Sequence, residues 1–186
     1  RHMGMPVLPP DVNESACSFT PTDAGIRFGM TAIKNVGEGA AEHIAATRAS
    51  GGPFADLFGF CERVDLRVAN RRVLESLIAA GAMDSLQGHR AQLLAALDLA
   101  LRAAQQAQEE RQRGQISLFG TGEPAAALLG PKQELPAVDP WPEAERLAQE
   151  RELLGFYLSG HPLDPYARDL RMLVTPTTEL GQQQEG

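Results

Sequence analysis

Residues that build metal centres and covalent cross-links are scarce in this 186-residue sequence. The two cysteines, Cys17 and Cys61, lie far apart and form no CxxC motif, and the four histidines are scattered rather than paired. Zinc sites and disulfide frameworks need such residues at short, regular spacings. We therefore expect neither a zinc site nor a disulfide, and we interpret both cysteines as free thiols in buried or half-buried positions.

Long apolar runs are missing as well. No stretch approaches the roughly 20 apolar residues that a membrane-spanning helix requires, and no basic start with an apolar core indicates a secretory signal. We therefore expect a cytoplasmic protein without a membrane partner. The first three residues, Arg1, His2 and Met3, fit no predicted structural element and are interpreted as the remnant of an expression tag. The native segment is therefore expected to start near Gly4 or Met5.

Positive charge is not in excess, although proteins that bind nucleic acid usually have a basic face. The formal net charge is −7, and it is unevenly distributed along the chain. Residues 1–115 contain 12 Lys or Arg and 13 Asp or Glu, whereas residues 116–186 contain 5 and 11. Any contact with phosphate groups is therefore expected in the first part of the chain.

The pattern of apolar residues predicts an all-α fold, since alternating strand patterns are absent beyond about the first 25 residues. The chain before Thr22 is rich in Pro, Asp, Asn and Ser and is expected to be extended with turns. The predicted helical segments are a helix, tight turn and helix over 26–49, a short helix within 54–64, a helix from about Val68 to Gly81, a long amphipathic helix from His89 to about Arg113, a helix from Pro142 to about Leu154 and a short helix within 163–173. Residues 114–140 are expected to be a flexible linker.

The turn VGEGA at residues 36–40 resembles the helix-hairpin-helix motif. Glycines can adopt positive φ and carry no side chain, so this turn is expected to be tight and open to a phosphate. Amide groups at the start of the next helix then form an anion site without lysines. The candidate DNA-binding residues here are Lys34, Val36, Gly37, Glu38, Gly39 and Ala40, with Arg48 as a further contact. The alternative is a structural connection whose small residues only permit close packing.

A second helix, glycine-containing turn and helix over residues 70–97 favours a tandem pair of hairpins, which fits a DNA backbone clamp better than one turn does. The candidate DNA-binding residues near its helix ends are Arg71, Arg72, Gly88, His89 and Arg90. A solvated helix start or a set of salt-bridge partners is an equally good interpretation of Arg71 and Arg72.

Several longer segments are similar to the alpha subunit of bacterial DNA polymerase III, in the part that follows its catalytic domain. The segments are VLPPDVNES at 7–15, IRFGMTAIKNVGEG at 26–39, GPFADLFGFCERVD at 52–65, NRRVLESLIAAGAMDSL at 70–86 and ERELLGFYLSGHPLDPY at 150–166. Together they cover most of the chain in the family's order.

This resemblance implies a non-catalytic, DNA-binding and clamp-binding piece of a replicative polymerase. The implied regions are a tag remnant and the end of the fingers at 1–28, a tandem helix-hairpin-helix domain at 29–113, a clamp-binding motif and linker at 114–140, a helical connector at 141–173 and a disordered tail at 174–186. The aspartates that bind magnesium lie upstream in this family, so nucleotidyltransferase activity and magnesium are expected only in the parent polymerase, and no catalytic residue, metal site or cofactor here. The implied partners are double-stranded DNA bound independently of sequence, the bacterial sliding clamp and other subunits of the polymerase III holoenzyme.

A short segment after the long helix resembles the clamp-binding pentapeptide of bacterial replication proteins, which has a Gln, two loosely specified positions, a Leu and a Phe. The residues are Gln115, Ile116, Ser117, Leu118 and Phe119. The family's internal clamp site lies at this place in the chain. The alternative is a frayed helix end with two exposed apolar residues.

Two other functions stay open. One is a fragment of a DNA repair glycosylase or ligase that carries the same hairpin, although such a glycosylase is expected to have a catalytic Asp, often with a Lys, after the hairpin. The only lysines are Lys34 and Lys132, and the second lies in the predicted linker. The other is a structural spacer between domains, which only a binding measurement distinguishes from the first interpretation.

Overall fold

A computed structural model describes residues 6–112 and 134–166. Its helices are α1 (Glu38–Gly51), α2 (Leu57–Arg63), α3 (Arg71–Ala79), α4 (Arg90–Gln112) and α5 (Glu143–Leu154), with short 3₁₀ turns at Met30–Ala32 and Asp164–Tyr166. Its strands are β1 (Val7–Leu8), β2 (Thr20–Thr22) and β3 (Gly25–Arg27). The predicted, mainly helical fold is confirmed. Within the described ranges, no helix combines the length and the apolar character needed to cross a bilayer.

The strands form one small sheet in the order β1-β3-β2, with β3 parallel to β1 and antiparallel to β2. The helix predicted from Ile26 was therefore wrong. Ile26 lies in β3, where it pairs with Val7 of β1, and only a 3₁₀ turn follows the strand. Close backbone contact explains the difference. A Cβ atom on Gly25 would overlap Pro6, and one on Gly29 would overlap the Ser18 backbone.

The segment that contains the sheet is packed into the helical core. Val12 is fully buried, and its N–H donates a hydrogen bond of 2.8 Å to the Ala82 carbonyl. The Arg48 guanidinium donates to the carbonyls of Val12 and Ser15 at 2.8 and 3.0 Å. Arg48 therefore holds the N-terminal segment against α1, and we no longer expect it to contact DNA.

The helical core is centred on α4, which packs against α2 and α3. Buried residues recur at helical spacing along α4, as the sequence pattern predicted. The fully buried side chains of this core include Ile44, Leu57, Phe60, Leu74, Leu77, Leu93 and Leu97. Each contributes about 1.5–3 kcal/mol by leaving water.

Helix α5 begins directly after Pro142, as predicted, and ends at Gly155, which has a φ of 86°. Its Leu153 and Leu154 are buried in the core, so this helix is part of the same packed unit as the hairpins. Of the short helix predicted within 163–173, the structure describes the 3₁₀ turn at Asp164–Tyr166, and the remainder lies outside the described residues.

Candidate nucleic-acid interface

The first hairpin turns at an asparagine. Asn35 has a φ of 70° and is the only non-glycine residue with positive φ among the residues that the structure describes. Its side-chain Nδ2 donates to Ser76 Oγ of α3 at 3.0 Å, which holds the turn against α3. Asn tolerates this left-handed conformation better than most residues do. The predicted positive φ at Gly37 and Gly39 was wrong, because Gly37 has a φ of −79° and Gly39 lies in the first turn of α1.

The fold itself does not require the two glycines of this hairpin. Both are exposed, and a Cβ atom added to either would meet nothing within 4 Å. On their two sides, Val36 and Ala40 are buried and fix the turn to the core. The glycines therefore leave free space in front of the backbone, where an approaching molecule can contact it.

The first turn of α1 also has no side-chain cap. Its N-cap residue is Gly37, which has no side-chain oxygen to accept from the amides of Glu38, Gly39 or Ala40. Such amides have no partner within their own helix and form its positive end. By contrast, Asp56 Oδ1 accepts from the Gly59 N–H at the start of α2. The α1 N-terminus is thus an open set of hydrogen-bond donors.

Lys34 lies beside this turn and contacts α5. Its backbone N–H donates to the Leu153 carbonyl at 2.9 Å, and its Nζ lies 3.2 Å from Glu152 Oε1. The Lys34 and Glu152 side chains are 54% and 63% exposed, so the ammonium group is accessible from solvent.

The glycine turn of the second hairpin is buried. Helix α3 ends in a Schellman motif, in which the Ala82 N–H donates to the Leu77 carbonyl and the Gly81 N–H donates to the Ile78 carbonyl. Gly81 has a φ of 84°, and a Cβ atom there would overlap the Arg90 guanidinium. This turn therefore uses its amides internally.

Arg90 is an internal residue. With only 10% of its side chain exposed, it contacts Asp84 at 2.7 Å and Glu150 at 3.0 Å. Burial alone would lower the pKa of Arg90, but the hydrogen bonds with both carboxylates raise it. Likewise, burial would raise the pKa of Glu150, but the Ser159 and Leu158 amides and the Arg90 guanidinium lower it. Because these internal partners occupy the Arg90 guanidinium, we no longer expect this residue to contact DNA.

The start of α4 is closed by its own side chains. The Gln92 N–H donates to His89 Nδ1 at 3.4 Å, and the His89 N–H donates to Gln92 Oε1 at 3.2 Å. Gly88 has a φ of 104°, and Leu135 occupies the space that a Cβ atom would need. This reciprocal capping differs from the uncapped start of α1.

The neighbouring arginines of α3 differ in their partners. Arg71 pairs with Glu75 at 2.7 Å and with Asp98, as the salt-bridge interpretation had it, and this arginine lowers the pKa of Asp98. Arg72 is exposed and forms no ion pair with a residue that the structure describes. It lies four residues before Ser76, on the same side of α3, and Ser76 bonds the turn of the first hairpin.

Sequence reasoning missed the contacts that position the two hairpins. The left-handed Asn35 had a local signal, since Asn is enriched at positive φ. The bond from Lys34 to Leu153 and the pair of Arg90 and Glu150 had none, because they join residues 60 or more positions apart. The pentapeptide at residues 115–119 lies outside the described residues and stays a prediction.

Comparison with known proteins places these hairpins in context. Residues 4–93 match the family model of the helix-hairpin-helix motif. Proteins named DNA polymerase III subunit alpha are 47% identical over 171 residues in Vibrio cholerae, 46% over 180 in Neisseria meningitidis serogroup B and 43% over 173 in Escherichia coli K12. The alignments cover 91%, 95% and 92% of this chain but 15% of each relative, so the chain spans about a seventh of the length of these relatives.

Proposed function

Because this chain belongs to the DNA polymerase III alpha family, of which it corresponds to one segment, we propose that it binds duplex DNA through its first hairpin. The observation that carries the proposal is the open start of α1, where Gly37 and Gly39 leave the backbone exposed and no side chain within residues 6–112 and 134–166 caps the amides. Its role in the parent polymerase is to hold the enzyme on DNA. Nucleotidyl transfer and its magnesium ions belong, in the same proposal, to other parts of the parent.

The contact is electrostatic and independent of base sequence. A phosphate oxygen of the DNA backbone accepts hydrogen bonds from the amides of Glu38 and Gly39, which are both exposed, and the positive end of α1 adds to the attraction. Glu38 contributes its amide rather than its carboxylate. Lys34, beside the turn, and Arg72, on the side of α3 that carries Ser76, add point charges to the same strand.

The binding is expected to be weak, because the described interface offers few phosphate contacts. A few contacts give a complex of micromolar or weaker affinity, and its log affinity is expected to fall with log salt by a slope of about 1 for each phosphate contacted. Duplex DNA is expected to bind better than single strands. Duplexes of different base sequence are expected to bind equally well.

The test is the substitution Gly39→Ala. Alanine is the better helix former, so the free energy of unfolding is expected to increase by about 0.5–1 kcal/mol. The new methyl group fills the space in front of the amides, so duplex affinity measured by fluorescence anisotropy is expected to fall at least about threefold, and further in Gly37→Ala/Gly39→Ala. Gly59→Ala in α2 is the matched control, with a similar helical gain and unchanged affinity. Unchanged affinity in the stable Gly39→Ala variant contradicts the proposal.

We further propose that residues 115–119 bind the bacterial sliding clamp, and that this tethering joins the chain to the rest of the polymerase III holoenzyme. The support is the match to the pentapeptide, with Gln115, Leu118 and Phe119 at its specified positions. The leucine and phenylalanine would each contribute roughly 1.5–3 kcal/mol by burial in an apolar pocket. Ordering the segment costs about 1–2 kcal/mol per residue, so the isolated contact is moderate and depends on simultaneous DNA binding.

Calorimetry with the purified clamp tests this second proposal. The double variant Leu118→Ala/Phe119→Ala is expected to lose detectable binding, while Ile116→Ala, at a loosely specified position, is expected to keep most of it. Binding of the double variant with parental affinity would place the clamp site elsewhere.

A further inference from the structure

The C-terminal end of α5 lies directly against the first hairpin. Lys34 is joined to it twice, by the backbone bond to the Leu153 carbonyl at 2.9 Å and by the ion pair with Glu152 at 3.2 Å. The residues of this ion pair are 118 positions apart in the chain. The contact therefore exists only because α5 is packed onto the hairpin domain.

This contact places negative charge beside the open start of α1. The carbonyl end of α5 is the negative end of its helix dipole, and the Glu152 carboxylate adds a full charge. Lys34, the only lysine among the described residues, lies three positions before Gly37. A phosphate at the start of α1 and the Glu152 carboxylate therefore compete for the same ammonium group.

The two groups can exchange without unfolding the domain. Lys34 and Glu152 are both more than half exposed, so only their side chains have to move. The neighbouring Leu153 and Leu154 are buried, which keeps α5 in place. The backbone bond to Lys34 also persists, because the Leu153 carbonyl makes it and not the glutamate side chain.

We propose that Glu152 limits the affinity of the first hairpin for DNA by acting as an internal counter-ion of Lys34. This inference rests on the proposed DNA contact and adds a residue that weakens it. A weaker, rapidly exchanging contact suits a segment that has to move along the duplex.

The experiment compares Glu152→Gln with Glu145→Gln in the complete 186-residue chain, at about 50 mM salt, where electrostatic effects are large. Both variants lose one negative charge from an exposed residue of α5, but Glu145 lies about 10 Å farther along the helix. Glu152→Gln is expected to tighten duplex binding about two- to fivefold, which is the range of one exposed ion pair. Glu145→Gln is expected to change it much less.

The gain from Glu152→Gln is expected to disappear when Lys34 is replaced by Met, since the counter-ion then has no partner. Equal effects of the two glutamine variants, or a gain that persists without Lys34, would overturn the inference. The underlying DNA contact is tested separately: if Gly39→Ala weakens binding while Glu152→Gln has no specific effect, only the counter-ion role fails. If the parent chain does not bind DNA, both fail.

Discussion

In the first hairpin no side chain of the described residues caps α1, and both glycines face open space. In the second hairpin His89 and Gln92 cap α4, and the turn at Gly81 is buried. The two hairpins have similar sequence patterns, a glycine-containing turn followed by a helix. Their glycines nevertheless have different physical roles. Those of the first hairpin leave room for an external partner, and those of the second permit a backbone conformation and a close contact inside the fold.

The largest effect on stability is expected when the buried ion pair of Arg90 and Glu150, which anchors the second hairpin, is broken. Glu150→Ala leaves the buried Arg90 guanidinium with Asp84 as its only carboxylate partner and removes the acceptor for two backbone amides. Loss of one member of a buried pair costs about 3–5 kcal/mol, and we expect that decrease in the free energy of unfolding, measured with urea. Glu152→Ala, two residues away and exposed, serves as the control and is expected to cost less than about 1 kcal/mol.

The same pair predicts how stability depends on pH. The pKa of Glu150 is lowered from its ordinary value of 4.5 in the folded protein. Its stabilising contribution is therefore complete well above pH 4.5 and is lost as the pH falls through the lower, folded pKa. Urea titrations from pH 7 down to pH 3 are expected to show a steeper loss of stability in the parent than in Glu150→Gln. Parallel curves would mean that Glu150 does not contribute in this way.

The same glycine-to-alanine substitution is expected to change the free energy of unfolding in opposite directions in the two hairpins. Gly81→Ala places a side chain at positive φ and displaces Arg90, which costs about 1–3 kcal/mol or more. Gly39→Ala, at negative φ and in open space, is expected to stabilise the fold. Thermal or urea unfolding of both variants checks this contrast, and a loss of stability in both would remove the distinction between the hairpins.

The smallest effect concerns the two arginines at the start of α3. Arg72→Ala removes an exposed cation that has no ion pair within residues 6–112 and 134–166 and that lies on the side of the first hairpin. The slope of log affinity against log salt is therefore expected to decrease by about 1. Arg71→Ala removes a cation that Glu75 and Asp98 already neutralise, and the slope is expected to stay constant. A larger change for Arg71 than for Arg72 would indicate that DNA lies on the α4 side.

Local signals predicted most of the helices, and contacts across the chain decided the rest. The apolar stripe of α4, Pro142 before α5 and the stop of α3 at Gly81 were all visible in the sequence, since each depends on neighbours a few residues away. The strand at Ile26 was missed because its partner, β1, lies about 20 residues earlier.

The sequence predicted where the first hairpin lies but not how its turn is formed. The sequence located the first hairpin, yet it attributed the turn to Gly37 and Gly39 rather than to Asn35. It also grouped Arg90 with the DNA contacts, because its partner Glu150 is 60 residues away and no local pattern links the two. The charge of a side chain is visible in a sequence, but whether another residue already neutralises it is not.

The most direct test is to follow the backbone amides of an isotope-labelled chain by NMR while a short duplex is added. We expect the amide signals of Glu38 and Gly39 to shift in a saturable, salt-sensitive manner, because these two residues are exposed and their amides are open to a phosphate. The amide signals of Gly81 and Gly88 are expected not to shift. Shifts confined to the second hairpin, with the start of α1 unchanged, would contradict the assignment of the DNA contact to the first.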